Sequence, residues 1–211
     1  MRFLFDPDSQ IMRFLARLAD LVILNVVFVI TCLPLFTIGA AISALYTVVF
    51  AMDTEREGKA LPTYFRAFRE NFRQGTAVFL VLFLFGAASC VNMSRFSEIG
   101  GSLGYGLFLL AMLVLILTVF TATFAFPLVS QFRNTTGAML KNALLLSLSH
   151  LPRAILAGVI NAFPWLVMLV NLYAFLRLGV LWFALYFSAA AYYNSRILKK
   201  MFDALAESAE K

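Results

Sequence analysis

Residues 21–52 read LVILNVVFVITCLPLFTIGAAISALYTVVFAM, a run with no Asp, Glu, Lys or Arg. A charged side chain near the middle of a membrane helix costs about 2.5 to 3.5 kcal/mol, so a run of this kind marks chain suited to lipid. As one helix it would measure about 48 Å, against a hydrocarbon core of about 30 Å. Pro34 lies near its middle, where the missing N–H and the bias of Leu33 away from helix favour a break. Two crossings are therefore expected, 17–33 and 36–52, with Arg17 and Asp20 one turn apart at the inner edge. One tilted, kinked crossing over 21–52 is the rival reading.

Four more charge-free runs follow, at 74–94, 99–132, 154–176 and 178–195. They place crossings near 75–92, 105–127, 153–174 and 178–194. The expected fold is an all-α integral membrane protein, a single transmembrane domain over 1–211 built as a bundle of six helices, or five in the rival reading. Composition agrees: 62% of residues are hydrophobic and 13% charged, where a soluble domain is about half apolar and a quarter charged. Asp6 and Asp8 interrupt the first segment, which argues against a cleaved leader. Cys32 and Cys90 sit in apolar runs, where a free thiol behaves as a small hydrophobe.

The net charge of +6 is distributed as topology. Short cytoplasmic loops are enriched in Lys and Arg. With six crossings, one side of the membrane holds Arg2, Arg13 and Arg17, then Arg56, Lys59, Arg66, Arg69 and Arg73, then Arg133, Lys141 and Arg153, and finally Arg196, Lys199, Lys200 and Lys211. The other side holds only Arg95 and Arg177. Both termini are thus expected in the cytoplasm. Apolar runs separate these cations, so no continuous basic face exists for nucleic acid.

Residues 62–74 are expected to form a short cytoplasmic helix in the interface plane. Tyr64, Phe65, Phe68 and Phe72 recur at helical spacing, while Arg66, Arg69 and Arg73 line another face. Pro62 suits the first turn. The arginines suit anionic lipid heads or a partner subunit. Residues 67–71 and 138–142 align loosely, as a duplicated two-helix unit would.

Little in the chain suggests catalysis. His150 is the single histidine, and metal sites need several converging ligands. There is no phosphate loop and no Ser/His/Asp set. Of the eleven acids only Asp20 approaches a span, which argues against proton-driven transport. No enzyme, cofactor, catalytic or metal site is expected. Uncharged polar residues within the spans serve either as interhelical hydrogen-bond partners or, for Asn25, Tyr46 and Asn161 with Trp165, as a solute path. Gly39 and Ser43, Ala40 and Ala44, and Gly158 and Ala162 are small pairs four apart that let helices approach. Pro164 suggests a kink in the fifth span.

The opening pattern Asp20-Leu21, Leu24-Asn25, Leu33-Pro34, Thr37-Ile38-Gly39 and Ala44-Leu45-Tyr46 resembles the YesL-like family of bacterial multi-pass membrane proteins of unknown function. The likeness continues through Phe65, Phe68 and Asn71-Phe72-Arg73-Gln74, and extends onward to Tyr193-Asn194-Ser195. Such proteins commonly occur beside carbohydrate-uptake genes, so the resemblance implies a plasma-membrane role in sugar import, and it brings no catalytic or ligand residues. Gly137 and Leu151-Pro152 lack the spacing and the Glu-Ala-Ala of the cytoplasmic loop of sugar permeases. The expected role is a non-enzymatic accessory or scaffold subunit in lipid, partnered with carbohydrate ABC transporter subunits or with copies of itself. A small-solute transporter or channel acting alone is the alternative.

Overall fold

The structure is a computed structural model that describes residues 10–52 and 60–209. The cations Arg2, Arg56, Lys59 and Lys211 and the acids Asp6 and Asp8, used in the sequence reading, lie outside the described residues. The described chain is entirely helical. Its elements are α1 (Gln10–Cys32), a 3-10 turn (Leu35–Thr37), α2 (Ile38–Met52), α3 (Ala60–Ile99), α4 (Gly101–Gln131), α5 (Thr136–Ser149), α6 (Leu151–Val170), α7 (Leu172–Arg177), α8 (Gly179–Leu181), a π turn (Trp182–Tyr186) and α9 (Phe187–Ala209).

Pro34 does break the decisive run. It takes an extended conformation with φ −76° and ψ 108°, and the 3-10 turn follows it. The Thr37 hydroxyl bonds to the carbonyls of Thr31 and Pro34, satisfying groups that the broken helix leaves free. The rival single kinked crossing is thereby replaced by two separate helices.

Among the described residues, five helices are long and apolar enough to cross a membrane: Ile11–Cys32, Leu35–Met52, Ala60–Ile99, Gly101–Gln131 and Leu151–Val170. The segment expected as a sixth crossing, 178–194, is no single apolar helix. It is divided between α8, the π turn and the start of α9, and α9 goes on into Arg196, Lys199 and Lys200. The expected crossing at 153–174 also ends early, because Asn171 leaves the helix and its side chain caps α7 by accepting from the Ala174 N–H at 3.0 Å. Both α4 and α6 continue through internal prolines, Pro127 and Pro164.

A second correction concerns residues 62–74, which are no separate interfacial helix. They are the first part of α3, 40 residues without interruption and about 60 Å long. Gly75, which would ordinarily weaken a helix, is fixed instead by contact. A Cβ on Gly39 would run into the Gly75 carbonyl oxygen, and one on Gly75 would meet the Gly39 carbonyl oxygen at 2.8 Å. Two backbones approach here as only glycine permits. The small-residue pattern on α2 thus had a partner glycine on α3.

The core gathers around α2, where Ala40, Ala41, Ser43, Ala44, Leu45, Tyr46 and Val49 are buried. Phe124 to Val129 of α4, and Leu198, Met201 and Phe202 of α9, close over it. Phe202 lies 5.7 Å from Phe50 and 6.0 Å from Phe132 between ring centres. Away from this core, α3 and α4 form an arm whose surface carries Phe83, Leu84, Phe85, Leu110, Leu113 and Ile116, all exposed. An apolar surface of that extent belongs in hydrocarbon.

One contact revises the expected topology. The Thr31 hydroxyl lies 2.6 Å from the Tyr64 hydroxyl. The sequence reading put Thr31 near the outer end of the first crossing and Tyr64 at the cytoplasmic face, about 30 Å apart across hydrocarbon. A hydrogen bond excludes that separation, so the Pro34 turn and the basic start of α3 share one side. Cysteines introduced at Leu33, which is 75% exposed, and at Arg66, in a Cys32→Ala, Cys90→Ala background, should both react with an impermeant thiol reagent from the same face. Labelling from opposite faces would refute the shared side.

Candidate functional site

The basic start of α3 is ordered by what its other face buries. Tyr64 is fully buried and Ala67 nearly so, and Phe68 packs partly against the same core. The Tyr64 and Phe68 rings stack at 6.3 Å, and Phe68 meets Phe72 edge-on at 5.8 Å. The expected lipid-facing aromatic surface is corrected accordingly: Tyr64 and Phe68 turn inward and only Phe65, 47% exposed, turns out. Periodicity showed an aromatic face correctly but could not say which partner covered it. Thr31, on a helix expected to end across the membrane, provides that partner.

Arg66, Arg69 and Arg73 remain exposed on the opposite face. Glu70 lies among them and pairs with Arg133 at 3.7 Å, and Gln74 donates to the Asn134 carbonyl at 2.7 Å. These two links tie the α4–α5 connection to α3. The exposed ion pair adds little stability. What results is a rigid helix that extends the charge-free segment 74–94 by about 20 Å, with three cations along its free face.

Of the four residues expected to line a solute path, two come together and two stand apart. Tyr46 and Asn161 meet through Asn194, whose amide donates to the Asn161 side-chain oxygen at 2.8 Å and to the Tyr46 hydroxyl at 3.4 Å. Asn194 and Tyr46 are buried, while Asn161 is exposed. The Asn194 side-chain oxygen is buried without a hydrogen-bond partner, and reversing the amides would only pass that deficit to its NH2 group. Sequence reasoning missed Asn194 as a site residue, since a single asparagine close to a helix end has no periodic signal.

Asn25 is occupied elsewhere. Its amide donates to the carbonyls of Trp182 at 2.9 Å and Phe183 at 2.7 Å, and its oxygen accepts from the Ser188 N–H at 2.8 Å. Ser188 in turn donates to the Leu21 carbonyl at 2.7 Å. This is a structural lock between α1 and the π turn. Trp165 is 55% exposed and hydrogen-bonds to neither group. The buried tryptophan is Trp182, which donates to the Phe175 carbonyl at 3.0 Å and packs on Phe163, Phe175 and Tyr186.

Chemically, amides and a phenol can hydrogen-bond a hydroxyl but offer no acid–base pair. His150 contacts Ser149 and the Leu146 carbonyl at a helix junction. Among the described residues no group of three His, Cys, Asp or Glu side chains converges, and Cys32 and Cys90 are free.

Residues 21–93 match the model of the family DUF624, described as a protein of unknown function. The match begins at Leu21 in α1 and ends at Met93 in α3, so it includes the Pro34 turn, the Gly39–Gly75 contact and the three arginines. No curated protein and no solved structure matches the chain.

Proposed function

We propose that this multi-pass membrane protein is a non-enzymatic accessory or scaffold subunit that docks a membrane transporter through the exposed face of α3 formed by Phe65, Arg66, Arg69 and Arg73. One observation carries the reading. Cations on a helix held rigid by burial of its opposite face present a preorganised surface, and binding to it orders little that was free. The partner surface is acidic, because three arginines and one phenylalanine select carboxylates around an apolar contact. Resemblance to the YesL-like family supports a carbohydrate ABC transporter as that partner. The charge partition supports a bacterial plasma-membrane location with both termini in the cytoplasm, the docking face included.

The test is reversal of charge. Arg66→Glu, Arg69→Glu and Arg73→Glu together should reduce co-purification of crosslinked transporter subunits at least tenfold, since each like-charge contact opposes association. Membrane insertion should be unchanged, since none of the three is buried. Undiminished recovery of the same subunits would end the docking reading.

The unpartnered Asn194 oxygen in the Tyr46–Asn194–Asn161 cluster favours a second reading, a hydroxyl-bearing solute held by a carrier that acts alone. Purified protein in liposomes would then move sugar, and Asn161→Ala would stop it.

A further inference from the structure

Between α3, α4 and α5 runs a groove of about 280 Å³. Leu82 and Phe85 of α3, Leu117 and Thr121 of α4, and Leu144 and Lys141 of α5 line it. The Thr121 hydroxyl is committed to its own helix, donating to the Leu117 carbonyl at 2.7 Å, so that side chain offers the groove a methyl group. Lys141 is the one charged residue lining the groove. It is exposed, and among the described residues no carboxylate pairs with it.

We propose that this groove binds an anionic phospholipid, one acyl chain lying along the leucines and the phosphate held by Lys141. The groove walls come from the charge-free middle segments of α3 and α4, and the exposed ring of Phe85 continues them into the apolar surface of the arm. An acyl chain therefore enters sideways from the hydrocarbon without crossing water. Charge complementarity decides the headgroup. A zwitterionic lipid fills the groove but brings its own cation close to Lys141, and a soluble phosphate neutralises Lys141 but leaves the apolar walls uncovered. An anionic phospholipid satisfies both.

Native mass spectrometry of the full chain in mild detergent, with phosphatidylglycerol and phosphatidylcholine added at equal concentration, tests the site. Wild type should retain phosphatidylglycerol about fivefold more strongly, the preference expected of one lysine at a phosphate. Lys141→Gln should abolish that preference and Lys141→Arg should keep it, as should Arg153→Gln, which removes an exposed cation that is not part of the lining. Leu144→Trp, which fills the groove, should lower retention of both lipids. The proposal is overturned if Lys141→Gln keeps the preference, or if inorganic phosphate displaces phosphatidylglycerol from wild type, which would assign Lys141 to a soluble anion.

Discussion

Gly39→Leu is expected to lower stability by about 3 kcal/mol, the upper end of the range for overpacking a well-filled interior. The Cβ alone would collide with the Gly75 carbonyl oxygen and stand 2.7 Å from Phe79 Cβ. Neither neighbour is the free end of a flexible chain, so relief requires α2 and α3 to separate. Separation then spreads, because α2 is also packed on α4 and α9, where Phe50 meets Phe202. In detergent micelles the thermal midpoint should fall by roughly 6–12 °C, taking about 2–4 °C per kcal/mol for a chain of this size. Gly86 lies in the exposed part of α3 with nothing within 4 Å of an added Cβ, and Gly86→Leu should change the midpoint by no more than about 2 °C. Equal midpoints for the two variants would mean that the glycine contact does not hold the helices together.

How much of this fold the sequence could reveal depends on the range of each interaction. The break at Pro34 is local chemistry, a missing donor and a restricted neighbour, and it was legible. So were the apolar segments now found in α3, α4 and α6, since absence of charge needs no partner to be read. The continuity of α3 was not legible. The change at Arg73 from mixed to apolar sequence looks like the end of one helix until Gly39 is seen against Gly75. The direction of the aromatic face had the same defect: Tyr64 and Phe68 show that a face exists, while Thr31 decides that it is covered. At the candidate polar site, Tyr46 and Asn161 were found as individual residues, but their meeting depends on Asn194, 148 positions from Tyr46. The irregular helix in the sixth expected crossing was not legible for a related reason. Its residues are apolar enough, yet the helix through them is interrupted by a π turn that an asparagine on α1, 157 positions away, helps to hold.

That asparagine supports the other large effect. Asn25→Leu preserves side-chain volume but removes a hydrogen bond from each of two carbonyls and from one N–H, the Phe183 carbonyl part-buried and the other two buried. Each buried polar group left unpaired costs about 1–3 kcal/mol, although the carbonyls keep a second lone pair for the helix ladder. A net loss of about 3 kcal/mol is therefore expected, and most of it should come from the Ser188 N–H. Asn92→Leu, on an exposed stretch of α3, should cost less than about 0.5 kcal/mol. The loss should also be local in origin. A π turn carries one residue more than regular helix, so closing it rotates α9 by about 100° relative to α8. That rotation would swing Asn194 away from Tyr46 and Asn161, and Phe202 away from Phe50. Amide exchange at 182–188 and along α9 should accordingly accelerate in Asn25→Leu before any change along the α3–α4 arm. If exchange rises uniformly, or if the variant is as stable as wild type, Asn25 is not what holds the turn, and the departure from regular helix must arise within 178–187 itself.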